Sequence, residues 1–301
     1  MLVRGVGDTY RVDSAESRYI LRVYRSSHRS LPQIEEEMSL LLSLQQAGVS
    51  VSYPIPDLAD NAIQELNAAE GKRYAALFSY AAGRVVRALS ENQLRTLGRE
   101  VALFHNLSAT IAHTGARWTF DTETTLARPF QLLRPAFAGN ETEYTWLADR
   151  VAQATEWLSQ HEIPVSAMGY CHFDLLPKNF HFDGDRVTLF DFDFMGYGPL
   201  VNDIMTFWQH LMLEAYAGRM TLDAAKEAYA TFIAAYRQYR PISPQELGLV
   251  PYLTLGFWLF YMGFHTTHDQ FYAFAQPAHV RVYTGFLKYI VQTHWEAETT
   301  A

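Results

Sequence analysis

The sequence predicts an α+β fold of two lobes: a small β-rich amino-terminal lobe, and a larger, mainly helical carboxy-terminal lobe that carries a β insert. Three observations predict it. The apolar spacing changes from period two to helical early in the chain. A small-residue stretch follows the last amino-terminal strand. An Asp-Gly turn flanked by alternating residues interrupts the later helical run. The chain has 301 residues, 49% of them apolar and 19% charged, which is enough to bury a full core and to build two lobes. The boundary is expected near residue 82, giving lobes of residues 1–82 and 83–301.

The first lobe opens with a hairpin. In "DTYRVDSAESRYILRVYR", residues 8–25, Ile20, Arg22 and Tyr24 alternate with Leu21 and Val23 around a polar turn. "LPQIEEEMSLLLSLQQAG" then turns helical, with Ile34, Met38, Leu41 and Leu44 on one arc and Gly48 placed to end it. Glu37 falls inside that arc, whereas Glu36 points away from it. A carboxylate on the core side of a helix needs a partner unless it marks the edge of the face. "GKRYAALFSYAAGR", residues 71–84, reads as a strand followed by a hinge.

Later elements are mainly helical. Ser90 and Gln93 form a capping box ahead of a Leu94, Leu97, Val101, Phe104 stripe. Ser243, Pro244 and Glu246 are expected to open the long apolar helix in the same way. That helix, "LVPYLTLGFWLFYMGF", has 16 residues and a proline, short of the roughly 20 that a membrane span requires, and reads as buried. "HFDGDRVTLFDFDF" describes a second hairpin, with Asp191 and Asp193 expected on one face of its outgoing strand.

Composition narrows the partners. A net charge of −8, from 32 acids against 24 bases, argues against a nucleic-acid groove or an anionic membrane surface. The single cysteine, Cys171, cannot form an internal disulfide and fits a reducing cytoplasm. The first residues, "MLVRGVGDTY", lack the apolar core of a signal peptide.

The acids carry the chemistry. In "CHFDLLPKNF", residues 171–180, an aspartate and an asparagine enter an otherwise apolar stretch. Folding the following hairpin back brings Asn179 near Asp191. Two or three oxygen donors with room for water suit a magnesium ion carrying nucleotide phosphates, because Mg2+ takes only one or two carboxylates from protein. A further carboxylate, Asp174, is then free to accept a proton. For any one of these acids alone, capping a turn or facing solvent is the plainer role; in this order together, a metal and phosphate site is the better reading.

"HFDLLPKN" followed by "LFDFDF" resembles the catalytic loop and metal segment of the aminoglycoside phosphotransferase and choline kinase family, relatives of protein kinases near type II homoserine kinases and bacterial stress-response kinases. The resemblance implies a bilobal protein-kinase-like fold. It implies that Asp174 accepts the substrate hydroxyl proton, with His172 beside it in the catalytic loop, and that Asn179 and Asp191 hold the metal. "GYGPLVNDIMTFW" resembles the segment that follows, which makes Asp203 a scaffold for the catalytic loop. The same resemblance puts Arg22 on the phosphates, held by Glu37, and makes "RGVGDTYRV" the loop over the nucleotide, with Gly5 and Gly7 allowing close backbone approach. Asp193 stays open between a second metal, substrate orientation and a loop cap. Phe173 stands where the pattern has glycine, and its bulk beside the base is expected to reshape the acceptor site. Arg22 in place of lysine favours bidentate contacts.

The implied activity is transfer of the γ-phosphate of ATP, with Mg2+, to a hydroxyl of a small molecule such as homoserine, choline or an aminoglycoside. Two alternatives are a stress-response-type Ser/Thr protein kinase and a nucleotide-binding module without catalysis. The remaining aromatic and histidine residues have plainer roles. His105 reads as a core histidine, and Trp208, Trp258, Tyr261 and Phe264 as core. The spacing of His265, His268 and Asp269 is not a standard metal pattern, and a substrate-site role suits some of them better. Nothing in the pattern fixes an oligomeric state.

Overall fold

The computed structural model describes residues 3–4, 6–69 and 71–295. Its first part is an antiparallel sheet of β1 (Val3–Arg4), β2 (Gly7–Asp13), β3 (Arg18–Tyr24), β4 (Pro54–Ile55), β5 (Gln64–Ala68) and β6 (Gly71–Ser79), with α1 (Leu31–Gln46) set between β3 and β4 in the chain. The strands run β1-β2-β3-β6-β4, and β5 pairs with β6 as well. The expected hairpin is β2 and β3, in a register that sets Arg22 opposite Thr9 on one side and Ala76 on the other. At the start of α1 the Ser30 N–H donates to Gln33 Oε1 at 3.0 Å, and the helix gives way to Gly48 at φ +79°. The short strands β1, β4 and β5 were not anticipated; β5, "QELNA", has only polar and small residues around its one leucine.

Between β6 and α2 (Glu91–Ser108) the chain crosses to the second part, and Gly83 makes the crossing possible. Its φ is +90°, and a Cβ there would come within 2.2 Å of the Phe182 carbonyl oxygen. The close approach lets Arg84 and Phe182 exchange backbone hydrogen bonds at 3.1 and 3.0 Å.

The second part adds β7 (Trp118–Thr119), α3 (Arg128–Leu132), α4 (Glu141–Ser159), β8 (Met168–Cys171), β9 (Phe180–Asp183), β10 (Arg186–Leu189), β11 (Gly196–Pro199), α5 (Val201–Tyr216), α6 (Leu222–Arg237), α7 (Pro244–Gly248), α8 (Val250–Thr266) and α9 (Pro277–Ile290). β9 and β10 form the expected hairpin, with Gly184 at φ +61° in its turn. A small unanticipated sheet joins β11 to β8 antiparallel and to β7 parallel. The core is continuous, running from Ile34 and Leu44 of α1 through Val101 and Phe104 of α2 to Ile204, Phe232 and Leu259. α8 buries 14 of its 17 residues, as its apolar sequence required. Among the described residues no helix is long and apolar enough to cross a membrane.

Two local expectations are corrected. The capping box of Ser243 and Glu246 opens only the one-turn α7, and α8 begins separately at Val250. β10 ends at Leu189, so Asp191 and Asp193 do not share a strand face. Asp191 takes the left-handed conformation (φ 63°), which breaks the two-residue alternation, and Phe192–Phe194 is a 3-10 turn.

Candidate active site

The loop after β8 is held from below by Asp203, at the start of α5. Its carboxylate accepts the His172 and Phe173 backbone N–H groups at 2.8 and 2.7 Å and meets His105 Nε2 at 3.0 Å. His105 is fully buried and its other nitrogen lies 2.8 Å from the Tyr236 hydroxyl, so it is a satisfied core histidine. His172 is also committed. Its Nε2 lies 2.9 Å from the Phe190 carbonyl oxygen, and its Nδ1 accepts the Asp174 N–H at 3.3 Å. Expected among the catalytic residues, it does not line the cleft and instead fixes the loop's shape.

Phe173 has φ 60°, a region where glycine is the usual occupant. Its ring does not line the cleft, so the expected bulk beside Asp174 on that side is not there. The left-handed turn sends it inward, where it stacks on Phe120 (3.7 Å between centroids) and packs against Phe257 and Phe260.

Asp174 comes out of this turn buried at the cleft floor. Its Oδ2 accepts Asn179 Nδ2 at 2.7 Å and Lys178 Nζ at 2.9 Å, while Oδ1 is buried with no partner among the described residues. Burial raises the Asp174 carboxyl above its usual range despite the neighbouring ammonium. The crowding works against the charge of Lys178, but Asp174 outweighs it and holds its pKa above the ordinary lysine value.

Across the cleft, Arg22 bridges Asp191, through Nη2, and Glu37, through Nη1 at 3.5 Å. Burial opposes its charge, and Asp191 leads the groups that more than compensate. Arg22 therefore sits chiefly on Asp191, and the closer partner of Glu37 is Arg117, whose Nη2 reaches Oε2 at 2.6 Å. Arg117 is buried and also donates to the Gln33 and Asp193 carbonyl oxygens, both at 2.7 Å. Its backbone N–H donates to Glu36 Oε2 at 2.7 Å, and the Tyr170 hydroxyl donates to Glu36 Oε1. The expectation that Glu36 points away is thus corrected: the segment before β7 folds over that side of α1 and buries both glutamates.

Asp193 borders the cleft, but its carboxylate is occupied. Oδ2 meets His28 Nε2 at 2.7 Å and Oδ1 accepts Arg29 Nε at 3.3 Å. Burial alone would raise its pKa; Arg29 and His28 outweigh that and hold it well below the carboxylate range. Arg29 itself lies over the Trp118 ring at 4.3 Å. Of the roles left open for Asp193, fixing the loop has the geometry behind it.

The cleft between the two parts encloses about 590 Å³. It gathers Arg22, Glu37, Asp174, Asn179, Asp191 and Asp193. Gly7 is not in it: the residue pairs with Tyr24 inside β2, and Val6, Thr9 and Arg11 line the cleft instead. Gly5 lies outside the described residues. Trp208 and Trp258 are core as expected, but Tyr261 and Phe264 line the cleft together with His265. Lys178, Arg117, His28 and Arg29 went unread as site residues. Lys178 stands four residues after Asp174, a helix-like spacing that could have flagged it; the other three sit in loops without periodicity.

The donors fit a hard divalent cation. Asp191 offers a carboxylate to the cleft and Asn179 an amide, the small oxygen set that suits an ion bringing phosphate and water as its other ligands.

The sequence profile of a group described as the phosphotransferase enzyme family matches residues 4–242. The chain belongs to that family. The phosphotransferase is 30% identical over 267 residues to an uncharacterised protein of Deinococcus radiodurans, covering 87% of this chain and 75% of the relative. It is 26% identical over 272 residues to a Bacillus subtilis protein named amicoumacin kinase, with 83% and 75% covered. Among solved structures, a microcompartment-associated aminopropanol kinase superposes with a TM-score of 0.77 at 20% identity, covering 97% of this chain and 91% of that one. The bilobal, protein-kinase-like fold of this phosphotransferase is the expected one.

Proposed function

We propose that the cleft transfers the γ-phosphoryl group of ATP, with Mg2+, to a hydroxyl of a small molecule. One observation carries the reading. Asp174 is buried at the cleft floor with one oxygen fixed by Asn179 and Lys178 and the other without a partner among the described residues, which suits a base awaiting a hydroxyl. The amicoumacin kinase name of one relative supports a small acceptor.

In this mechanism the lobes are residues 1–82 and 83–301, and the nucleotide lies between them. Ile20, Phe78 and Phe190 supply apolar walls at its base end. Arg22 turns from Asp191 to the phosphates, with Glu37 and Arg117 keeping its far side anchored. Asn179 and Asp191 would hold the magnesium ion, which when bound neutralises charge on the phosphates. Asp174 orients the acceptor hydroxyl and takes its proton. The hydroxyl oxygen bonds to the γ-phosphorus, the bond from that phosphorus to the β–γ bridging oxygen breaks, and ADP leaves. Lys178, paired with Asp174, is placed to meet the transferring group. His172 and Asp203 position the loop. The lone buried cysteine suits a cytoplasmic setting.

The test is ATP consumption across a set of hydroxyl compounds, with and without Mg2+. Transfer to a small alcohol only when Mg2+ is present is the expected result. Phosphorylation of protein serine with no small acceptor would favour a protein kinase. Mg2+-dependent ATP binding without transfer to anything would reduce the protein to a nucleotide-binding module.

A further inference from the structure

Asp191 and Asp193 stand two residues apart in very different surroundings. The Asp191 side chain is 43% exposed and borders the cleft, where Arg22 bridges it. The Asp193 side chain is 4% exposed and is held by residues of the other part of the molecule. These are His28 and Arg29, in the connection from β3 to α1, with side chains each 2% exposed.

Arg29 Nε and Nη2 meet the two Asp193 carboxylate oxygens at 3.3 and 3.4 Å, and Nη2 also donates to the Asp193 carbonyl oxygen. His28 Nε2 lies 2.7 Å from Oδ2. An ionised carboxylate only accepts, so that nitrogen carries the proton. From the second part, Arg117 Nη1 adds a bond to the same carbonyl at 2.7 Å. Side chain and backbone of Asp193 are therefore both fixed. Phe192 fixes the middle of the turn, its ring packed on Phe104 and His172 at 5.5 and 4.4 Å. Asp191 follows from these anchors: its left-handed backbone, φ 63°, is one that a residue with a side chain keeps only where its surroundings impose it.

Magnesium is exacting about where its ligands stand. It takes near-ideal octahedral geometry at about 2.0–2.1 Å, so a carboxylate displaced by a fraction of an ångström binds it poorly. Groups that orient a metal ligand commonly weigh about 10–100-fold in metal affinity. Neither His28 nor Arg29 lines the cleft, so any effect they have on a bound nucleotide must pass through the Asp191–Asp193 turn.

We propose that His28 and Arg29 are positioning residues for the metal: by holding Asp193 they fix the turn that aims Asp191 at the ion. Side chains of the first part then set the metal affinity of a ligand carried by the second. This inference rests on the reading of Asp191 as a magnesium ligand.

The experiment is calorimetry of AMP-PNP binding with Mg2+ in excess and with EDTA, alongside melting temperatures. The parent is compared with His28→Leu, His28→Gln and Arg29→Lys, and Asp191→Ala serves as the reference for a lost ligand. The parent should bind the nucleotide more tightly with Mg2+, and Asp191→Ala should lose most of that gain. His28→Leu and Arg29→Lys should weaken the Mg2+ complex about tenfold or more while metal-free AMP-PNP binds within about threefold of the parent. His28→Gln, which keeps an N–H for Asp193, should recover much of the loss. Should Arg29→Lys fail to fold, the two His28 variants decide alone. Variants that melt lower yet keep the parent's ratio of the two dissociation constants overturn the inference and leave Asp191 as a metal ligand. A parent that binds AMP-PNP equally with and without Mg2+, or an Asp191→Ala protein that keeps the whole gain, overturns both.

Discussion

Asp174 is buried with one oxygen unpaired among the described residues, so its removal should act on chemistry far more than on nucleotide binding. Asp174→Asn is expected to cut kcat by about 10²–10⁴-fold, the usual worth of a positioned base, with the Kd of ATP within a few-fold of the parent. Steady-state kinetics and calorimetry check the two halves. At Phe173 two effects compete. Phe173→Gly relieves about 1–2 kcal/mol of left-handed strain but empties a stacked site whose loss costs about 3–5 kcal/mol. The cavity wins, and urea unfolding should show a net loss of about 2 kcal/mol. His265 gives a pH signature. Its folded pKa is near 4 against 6.5 for the free side chain, so the unfolded chain binds the proton first as pH falls. Its contribution is whole above about pH 6.5 and is lost as pH falls from there towards 4, by up to roughly 3 kcal/mol. Melting curves at pH 7 and pH 5 should show a smaller acid loss for His265→Phe than for the parent.

At the scale of elements, α1 is pinned less by Arg22 than by Arg117, which ties Glu37, Gln33 and the Asp193 carbonyl together. Arg117→Ala leaves Glu37 buried beside a distant cation and is expected to destabilise by about 3–5 kcal/mol. Arg117→Lys keeps the charge but not the fork, and should fall between the two in thermal denaturation. Neither role could be read in the sequence, because Arg117 is a single arginine in an aperiodic segment. The strands β2, β3 and β6, the α1 arc and the Asp-Gly hairpin were legible, since each repeats its period over several residues. The sheet of β7, β8 and β11 was not: its strands are two to four residues long and lie far apart in sequence. The left-handed Asp191 likewise hid from a strand pattern, and with it the burial of Asp193. The loop that carries Asp174 stood out as a motif, but the paths of Phe173 into the core and of His172 onto the Phe190 carbonyl follow from a positive φ that a sequence pattern does not display.

Across the whole molecule, the backbone hydrogen bonds that join the two parts among the described residues are those of Ser50 and Ser52 with Leu189. The cleft between them is lined by charged groups at Arg22, Asp174 and Asp191 and by aromatic rings at Tyr261, Phe264 and Phe271, so a ligand that spans it should hold the lobes together. ATP with Mg2+ at a hundred times its Kd should stabilise the protein by about 2.7 kcal/mol, visible as a rise in melting temperature. Asp191→Ala should remove most of the metal-dependent part of that rise. The most direct measurement is 31P NMR of the parent and Asp174→Asn proteins incubated with ATP, Mg2+ and an accepted alcohol. A new phosphomonoester signal growing with ADP in the parent, and nearly absent in the variant although it still binds ATP, is the predicted result. Equal growth of that signal in both proteins would contradict Asp174 as the base.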